Sequence, residues 1–129
     1  MKFDTITEDS IRQMVYGFYD DVRTDAVLGP VFEQVLHDKW DEHMPRMVNF
    51  WATILLGVPR FSGNVFGKHM ALSGIAPEHF TRWLSLFKKT VMRLYEEDTA
   101  AEILEIADSI AGSLQLGYFG ERPVSVAAV

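Results

Sequence analysis

The chain of 129 residues contains no cysteine, which excludes several kinds of site at the outset. Disulfides, zinc–thiolate centres, iron–sulfur clusters and thiol nucleophiles need that side chain, and so does covalent haem attachment through a C-x-x-C-H motif. Positive charge is also scarce, because 12 Lys and Arg stand against 18 Asp and Glu, for a net charge of −6. Since phosphate neutralisation dominates nucleic-acid affinity, we expect neither DNA nor RNA as a partner.

Long apolar runs are missing as well. The longest, such as residues 54–56, fall far short of the ~20 residues that span a bilayer. The N-terminus has neither the apolar segment nor the cleavage site of a signal peptide. We therefore expect no membrane contact and a cytoplasmic location. With 48% hydrophobic and 23% charged residues, the composition is that of a single globular domain over residues 1–129.

Four apolar stripes at helical spacing, with no strand alternation and no internal repeat, predict an all-α fold. The predicted helices cover residues 8–23, 40–56, 77–96 and 100–118. Thr7 is expected to cap the first helix, and Thr99 with Glu102 matches a capping box at the start of the fourth. Pro45 interrupts the second stripe, so that helix either starts later or bends there.

The segments between these helices carry no clear periodicity. Residues 24–39 contain the turn signal Leu28-Gly29-Pro30, and residues 58–76 are rich in glycine and include His69, so we expect both segments to be irregular. Residues 119–129 contain a proline and small side chains without a repeating pattern. We expect them to form a flexible C-terminal tail.

The four histidines, at positions 37, 43, 69 and 79, are the first place to look for chemistry in a chain without cysteine. No two are four residues apart, and none has a Glu three residues before it, so the zinc helix H-E-x-x-H and the E-x-x-H pairs of di-iron bundles are absent. The nucleophile elbow G-x-S-x-G, the Walker A loop and the dinucleotide-binding G-x-G-x-x-G are also absent.

Three polar side chains fall on apolar helix faces. His43 lies one turn before Met47 on the buried edge of the second helix, Tyr19 flanks the first stripe, and Trp83 lies in the middle of the third. Each has an ordinary explanation, as a core histidine, a core tyrosine bonded to a carbonyl, or an indole used as filler. A buried polar group without a partner costs ~1–3 kcal/mol, however, so three of them on inward faces indicate convergence on a bound ligand or ordered water.

His69 has a different setting, after the glycine-rich stretch 61–68 and at the start of a short apolar segment. It is either a surface histidine or one that the loop directs into a cavity. A lone neutral imidazole in an apolar pocket, with no thiolate nearby, is the arrangement that holds haem iron from its proximal side. On that interpretation, His69 joins the three polar side chains in one site.

The order of motifs along the chain resembles the truncated (2/2) haemoglobins, group III in particular, over about residues 3–118. The motifs are Phe18-Tyr19, Leu28-Gly29-Pro30-Val31-Phe32, Trp40-x-x-His43, Asn49-Phe50-Trp51, Leu55-Leu56-Gly57, a glycine loop, His69 and His79-Phe80-x-x-Trp83. The resemblance implies a two-over-two helical sandwich around a noncovalent haem b. The four predicted helices would correspond to helices B, E, G and H, with helix F reduced to about one turn.

The resemblance also implies roles around the haem. His69 would be the proximal ligand to the iron, and Tyr19, His43 and Trp83 would be the distal residues that face a bound gas. The two remaining histidines match no functional position of the family.

Four further residues would contact the haem itself. Phe32 would pack on the haem edge, and Met47 would cover the ligand pocket from its apolar side. Arg46, and less directly Lys68, would reach the haem propionates, although both also fit ordinary solvated surface charges.

Three functions remain open at this point. The first is a globin that binds dioxygen, nitric oxide, carbon monoxide or peroxide and releases dioxygen slowly. The second is a redox enzyme that reduces peroxide or oxidises nitric oxide, with a reductase as partner. The third is a helical interaction module without a cofactor, whose acidic faces bind a basic partner. We expect a monomer in the first two cases.

Overall fold

The structure is a computed structural model that describes all 129 residues. It is helical throughout, apart from one isolated bridge between Phe3 and Tyr95, which confirms the all-α prediction. The helices are α1 (Glu8–Thr24), α2 (Leu28–Leu36), α3 (Trp40–Leu56), α4 (Val65–Met70), α5 (Pro77–Leu94) and α6 (Glu97–Phe119), followed by a 3-10 turn, Val126–Ala128. No helix combines the length and apolar character needed to cross a bilayer.

The four long helices agree closely with the predicted ranges, and the differences have identifiable causes. Helix α5 ends at Leu94 instead of residue 96, because the chain becomes extended there to pair with the N-terminus. The N–H of Phe3 donates to the Leu94 carbonyl at 2.8 Å, and the N–H of Glu96 donates to the Phe3 carbonyl at 2.7 Å. The connection between α5 and α6 therefore consists of only two residues, Tyr95 and Glu96.

The predicted caps have different outcomes. Thr7 caps α1 as predicted, since its side chain accepts the N–H of Ser10 at 3.1 Å while the Ser10 hydroxyl accepts the N–H of Thr7 at 2.9 Å. The capping box at Thr99 is wrong. Helix α6 begins at Glu97, so Thr99 lies inside its first turn, and its hydroxyl donates to the Asp4 carbonyl at 2.8 Å.

Pro45 lies inside α3, which begins at Trp40. The alternative that this helix starts after the proline is therefore wrong. Because proline has no N–H, the carbonyl of Asp41 loses its helical partner. Asp41 is exposed, so water can satisfy that carbonyl instead.

Both segments expected to be irregular contain a helix. The first contains α2, which begins three residues after Asp25. The carboxylate oxygen Oδ2 of Asp25 accepts the N–H groups of Val27 at 3.0 Å and Leu28 at 2.9 Å. Pro30 lies in the first turn of α2, where its missing N–H would have had no helical partner in any case. The second segment contains α4, the short helix that the family resemblance implies.

Helix α1 occupies the centre of the fold, because it packs on α2, α3 and α5, while α5 packs on α6. The pairs α1–α3 and α5–α6 form the two layers. The whole apolar stripe predicted for the first helix is buried in the main core: Ile11, Met14, Val15, Phe18 and Val22.

The segment after α6 is packed, in contrast to the flexible tail that we expected from its lack of periodicity. Gln115 holds it with both ends of its amide, which bond to the carbonyl and N–H of Val124 at 2.9 and 3.1 Å. Lys88 donates to the Val129 carbonyl at 2.9 Å. Val124, Val126 and Val129 pack on a second apolar cluster around Leu84. Valines can cover such a cluster without helical periodicity, which explains why the pattern gave no signal.

Candidate functional site

Helices α1, α2 and α3 bring three of the predicted site residues into one cluster. The rings of Tyr19 and His43 meet edge-on, with centroids 5.2 Å apart and an angle of 88°. Phe32 lies 5.9 Å from the Tyr19 ring on another side. Tyr19 is 7% exposed, whereas Phe32 and His43 are only half-buried. A polar pair therefore lies at an apolar corner between three helices.

The polar atoms of this cluster have no partner within the protein. The Nε2 atom of His43 is buried and makes no hydrogen bond, and the hydroxyl of Tyr19 makes none either. Burial raises the pKa of Tyr19, so the phenol stays protonated and can donate. Burial, with electrostatic contributions from Arg46 and His69, lowers the pKa of His43 to about 4, so its imidazole is neutral at pH 7. A buried nitrogen without a partner, such as Nε2 of His43, is rare and requires an explanation.

Trp83 lies next to this cluster without touching it. Its ring stacks on Phe87 at 5.1 Å, and Phe87 stacks in turn on Trp51 at 5.2 Å. Phe18 separates Trp83 from Tyr19, at 5.3 Å from the first ring and 5.0 Å from the second. The half-buried Trp83 has no acceptor for its indole N–H. Its donor is thus available, one aromatic ring away from Tyr19.

His69 comes from the short helix α4, and its orientation is defined by a hydrogen bond. Its Nδ1 lies 2.8 Å from the carbonyl oxygen of Val65, one turn earlier. Because a carbonyl only accepts, Nδ1 must carry the hydrogen, and Nε2 is left with its lone pair as the atom that can bind a metal. His69 is also close enough to His43 to affect the pKa of that imidazole.

A bare metal ion has no suitable site in this chain, since no group of three or more His, Asp or Glu side chains could hold one. An iron atom at His69 would therefore need its other ligands from a prosthetic group such as a porphyrin. The residues present fit that requirement, because His69 supplies one free nitrogen and the unpaired polar atoms of Tyr19 and His43 face no protein partner.

The four residues implied to contact haem lie near these side chains. Met47 follows His43 by one turn and is half-buried against the main core. Arg46 is exposed, its guanidinium carbon lies 6.0 Å from the Phe61 ring centroid, and its charge affects the pKa of His43. Lys68 is exposed and precedes His69. Neither Arg46 nor Lys68 forms a salt bridge, so both cations are free to pair with an external carboxylate.

The two other histidines have structural positions. Exposed His37 lies 3.3 Å from a carboxylate oxygen of Glu33. The Nδ1 atom of His79 accepts the N–H of Ala76 at 2.9 Å and so caps the start of α5. Neither lies in the cluster around Tyr19.

Trp40, a residue with no predicted role, supports the Tyr19 ring from a centroid distance of 6.0 Å. Its indole N–H donates to Glu33 at 3.0 Å, and the cation of Arg23 lies 4.6 Å above its ring. The neighbouring Phe32 stacks on it at 6.3 Å. Trp40 is part of the motif Trp40-x-x-His43, which was the signal that could have identified it.

The ion pair between Asp25 and Arg82, the residue before Trp83, was not predicted either. The carboxylate oxygen Oδ1 of Asp25 lies 2.7 Å from Nε and 2.6 Å from Nη2 of Arg82. The hydrogen bond from Arg82 holds the pKa of Asp25 below its usual range. This pair ties the corner between α1 and α2 to α5, one residue before Trp83. An aspartate three residues before the apolar start of α2 was the available signal for its bonds to the N–H groups of Val27 and Leu28.

The chain is similar to known proteins over most of its length. The chain is 37% identical over 118 residues to the group 3 truncated haemoglobin of Campylobacter jejuni, a match that covers 89% of this chain and 93% of that protein. The crystal structure of the group III truncated haemoglobin from the same organism matches with a TM-score of 0.85 at 37% identity, over 89% and 93% of the two chains. Models of protein families gave no match.

The helical architecture is that of a truncated globin. At this identity and coverage, the chain belongs to the group III truncated haemoglobins. The resemblance and the fold class inferred from the sequence are therefore confirmed, and membership of the family implies a haem cofactor.

Proposed function

We propose that this protein binds haem b noncovalently through Nε2 of His69 and reversibly binds dioxygen, or another small diatomic ligand, beside Tyr19, His43 and Trp83. The observation that carries the proposal is the buried Nε2 of His43, which has no hydrogen-bond partner, on a ring that meets the ring of Tyr19 edge-on at 5.2 Å. The absence of cysteine leaves no covalent attachment through thioether bonds.

When bound, haem would supply the iron atom to which the small ligand binds. The chain supplies the hydrogen bonds around it. The phenol of Tyr19 and the indole of Trp83 act as donors, and neutral His43 either donates or accepts. A hydrogen bond from one of these donors contributes ~0.5–1.5 kcal/mol net, and up to ~3 kcal/mol when the acceptor is charged. This stabilisation corresponds to a several-fold to hundredfold slower release of the bound ligand. Donors of this kind favour the more polar dioxygen over carbon monoxide.

The remaining predicted residues define the walls and the rim. Phe32 and Met47 offer apolar surface to the porphyrin, and their partial exposure in this structure leaves that surface available. Arg46 and Lys68 carry charges that no carboxylate of the chain neutralises, so the haem propionates are suitable partners for both.

The redox-enzyme alternative has less support. The Nδ1–H of His69 donates to the neutral carbonyl of Val65 and not to a carboxylate, so the imidazole gains little basicity for peroxide cleavage. We therefore favour reversible ligand binding, with dioxygen as the first candidate and nitric oxide, carbon monoxide and peroxide as others. We expect a monomer that acts in the cytoplasm, and a reductase partner would be needed only for turnover.

The visible spectrum of the purified protein, loaded with haem, tests the proposal. We expect a five-coordinate ferrous spectrum after reduction with dithionite and a persistent oxygenated spectrum after aeration. His69→Gly should abolish stable haem retention. Normal haem spectra in that variant, or no uptake of haem by the unmodified protein, would refute the proposal.

Tyr19→Phe tests the distal part of the proposal. Loss of the hydroxyl should speed dioxygen release several-fold or more in stopped-flow displacement measurements. The matched control is Tyr16→Phe, because Tyr16 is 42% exposed on the same helix and makes no hydrogen bond. An equal release rate in Tyr19→Phe and the control would mean that the Tyr19 hydroxyl does not contact the ligand.

A further inference from the structure

Helix α4, which carries His69, is attached to the fold mainly through α6. It has only six residues, none of them buried, and packs on α6. A helix of this length is not stable by itself, so its position depends on tertiary contacts. The position of His69 must therefore be determined by what holds α4 to α6.

Two adjacent residues of α6 make this attachment. The first is Gly117, where an added Cβ would lie 2.7 Å from Sδ of Met70 and 2.7 Å from the ring of Phe66, so a larger residue would force these two side chains of α4 to move. The second is Tyr118, whose hydroxyl donates a hydrogen bond to the backbone carbonyl of His69.

The Tyr118 bond completes the constraints on His69. The same carbonyl also accepts the N–H of Leu72 at 2.9 Å, so both of its lone pairs are used. The imidazole is oriented separately by the Val65 carbonyl. The ring of Tyr118 is supported by Phe80 at a centroid distance of 6.1 Å, a contact that does not depend on the hydroxyl.

We propose that Tyr118 is a positioning residue for His69, and that its bond to the His69 carbonyl determines how the imidazole meets the haem iron. This inference rests on the proposed function, in which His69 is the proximal ligand. Without the hydroxyl, α4 gains freedom relative to α6, the imidazole adopts a wider range of orientations, and its bond to iron weakens.

The test compares Tyr118→Phe with the unmodified protein, both loaded with haem. The primary measurement is the iron–histidine stretching band in the resonance Raman spectrum of the ferrous protein, which a merely structural role would not move. We expect the band to broaden and shift to lower frequency, and haem loss to an excess of a haem acceptor to become roughly three- to tenfold faster. Tyr16→Phe is the control and should leave both quantities unchanged.

A second variant keeps the test decisive if Tyr118→Phe does not fold. Gly117→Val retains the phenol but pushes Met70 and Phe66 away from α6, so the same band should shift in the same direction. A native circular dichroism spectrum together with an unchanged band and an unchanged rate of haem loss, in either variant, would overturn the inference.

The failure of this inference can be distinguished from failure of the proposed function. If the unmodified protein shows an iron–histidine band that His69→Gly abolishes, His69 is the ligand, and an unchanged Tyr118→Phe refutes the positioning role alone. If the unmodified protein binds no haem or shows no such band, the proposed function fails and the inference fails with it.

Discussion

Replacement of Asp25 should destabilise the protein more than its position in a connecting segment indicates. Its side chain is 3% exposed, and its two oxygens accept from the N–H groups of Val27 and Leu28 and from the guanidinium of Arg82. Asp25→Ala removes every one of these acceptors. The corner between α1 and α2 and the contact of that corner with α5 are lost together.

The magnitude follows from the burial of each donor. Leu28 is 2% exposed, so its N–H is left unpaired away from water, at a cost of about 1–3 kcal/mol. The N–H of Val27 also loses its acceptor, but Val27 is 39% exposed, so water can replace that bond at little cost. The side chain of Arg82 is 49% exposed, so water replaces much of what the ion pair contributed. We expect Asp25→Ala to lower the free energy of unfolding by about 1–3 kcal/mol in total.

Urea unfolding followed by circular dichroism measures this change, with Arg82→Met and the double variant completing a double-mutant cycle. Arg82→Met should cost clearly less than Asp25→Ala, because it leaves the two backbone N–H groups capped. A loss of less than about 0.5 kcal/mol in Asp25→Ala would refute the capping argument. Equal losses in the two single variants would mean that the ion pair, and not the cap, is the dominant contribution.

Three further predictions concern stability. Because Arg82 holds the pKa of Asp25 below 3.8, the ionised carboxylate stabilises the fold above that pH, and this contribution is lost as the pH falls through the lowered pKa. The difference in unfolding free energy between the protein and Asp25→Asn should therefore shrink below pH 4 in urea titrations. A difference that stays constant with pH would contradict this prediction. Tyr95→Phe removes the buried 2.8 Å bond to the Ser10 hydroxyl and should cost about 1 kcal/mol in thermal unfolding, and an unchanged Tm would show that the bond contributes nothing. A chain that stops before Val124 should unfold at lower urea and bind more apolar dye, whereas an unchanged midpoint would mean that the terminal valines contribute no stability.

The long helices could be predicted from the sequence because their signal is local. A stripe with helical period depends only on which face is buried, and every apolar position of the first stripe is buried. The errors occur where a distant contact overrides the local signal. Tyr95 leaves α5 to pair with Phe3, and Thr99 donates to Asp4 instead of capping its own helix.

In the candidate site, too, the features with a local signal could be predicted and the contacts between distant residues could not. Helical spacing predicted that Tyr19 and His43 point inward, and the two rings do meet. Spacing could not predict partners across the fold, such as Asp25 with Arg82 at a separation of 57 residues or His69 with Tyr118 at 49. Those contacts depend on how the helices pack, which amphipathic periodicity does not specify.

The distribution of tryptophan in this protein has a spectroscopic consequence. All three indoles of the chain belong to the aromatic cluster around the site, Trp40 beside Tyr19 and the other two, Trp51 and Trp83, on opposite faces of Phe87. No tryptophan elsewhere adds emission from a region remote from the site. Intrinsic fluorescence therefore reports on this one region, and its quenching by energy transfer offers a label-free titration of porphyrin uptake.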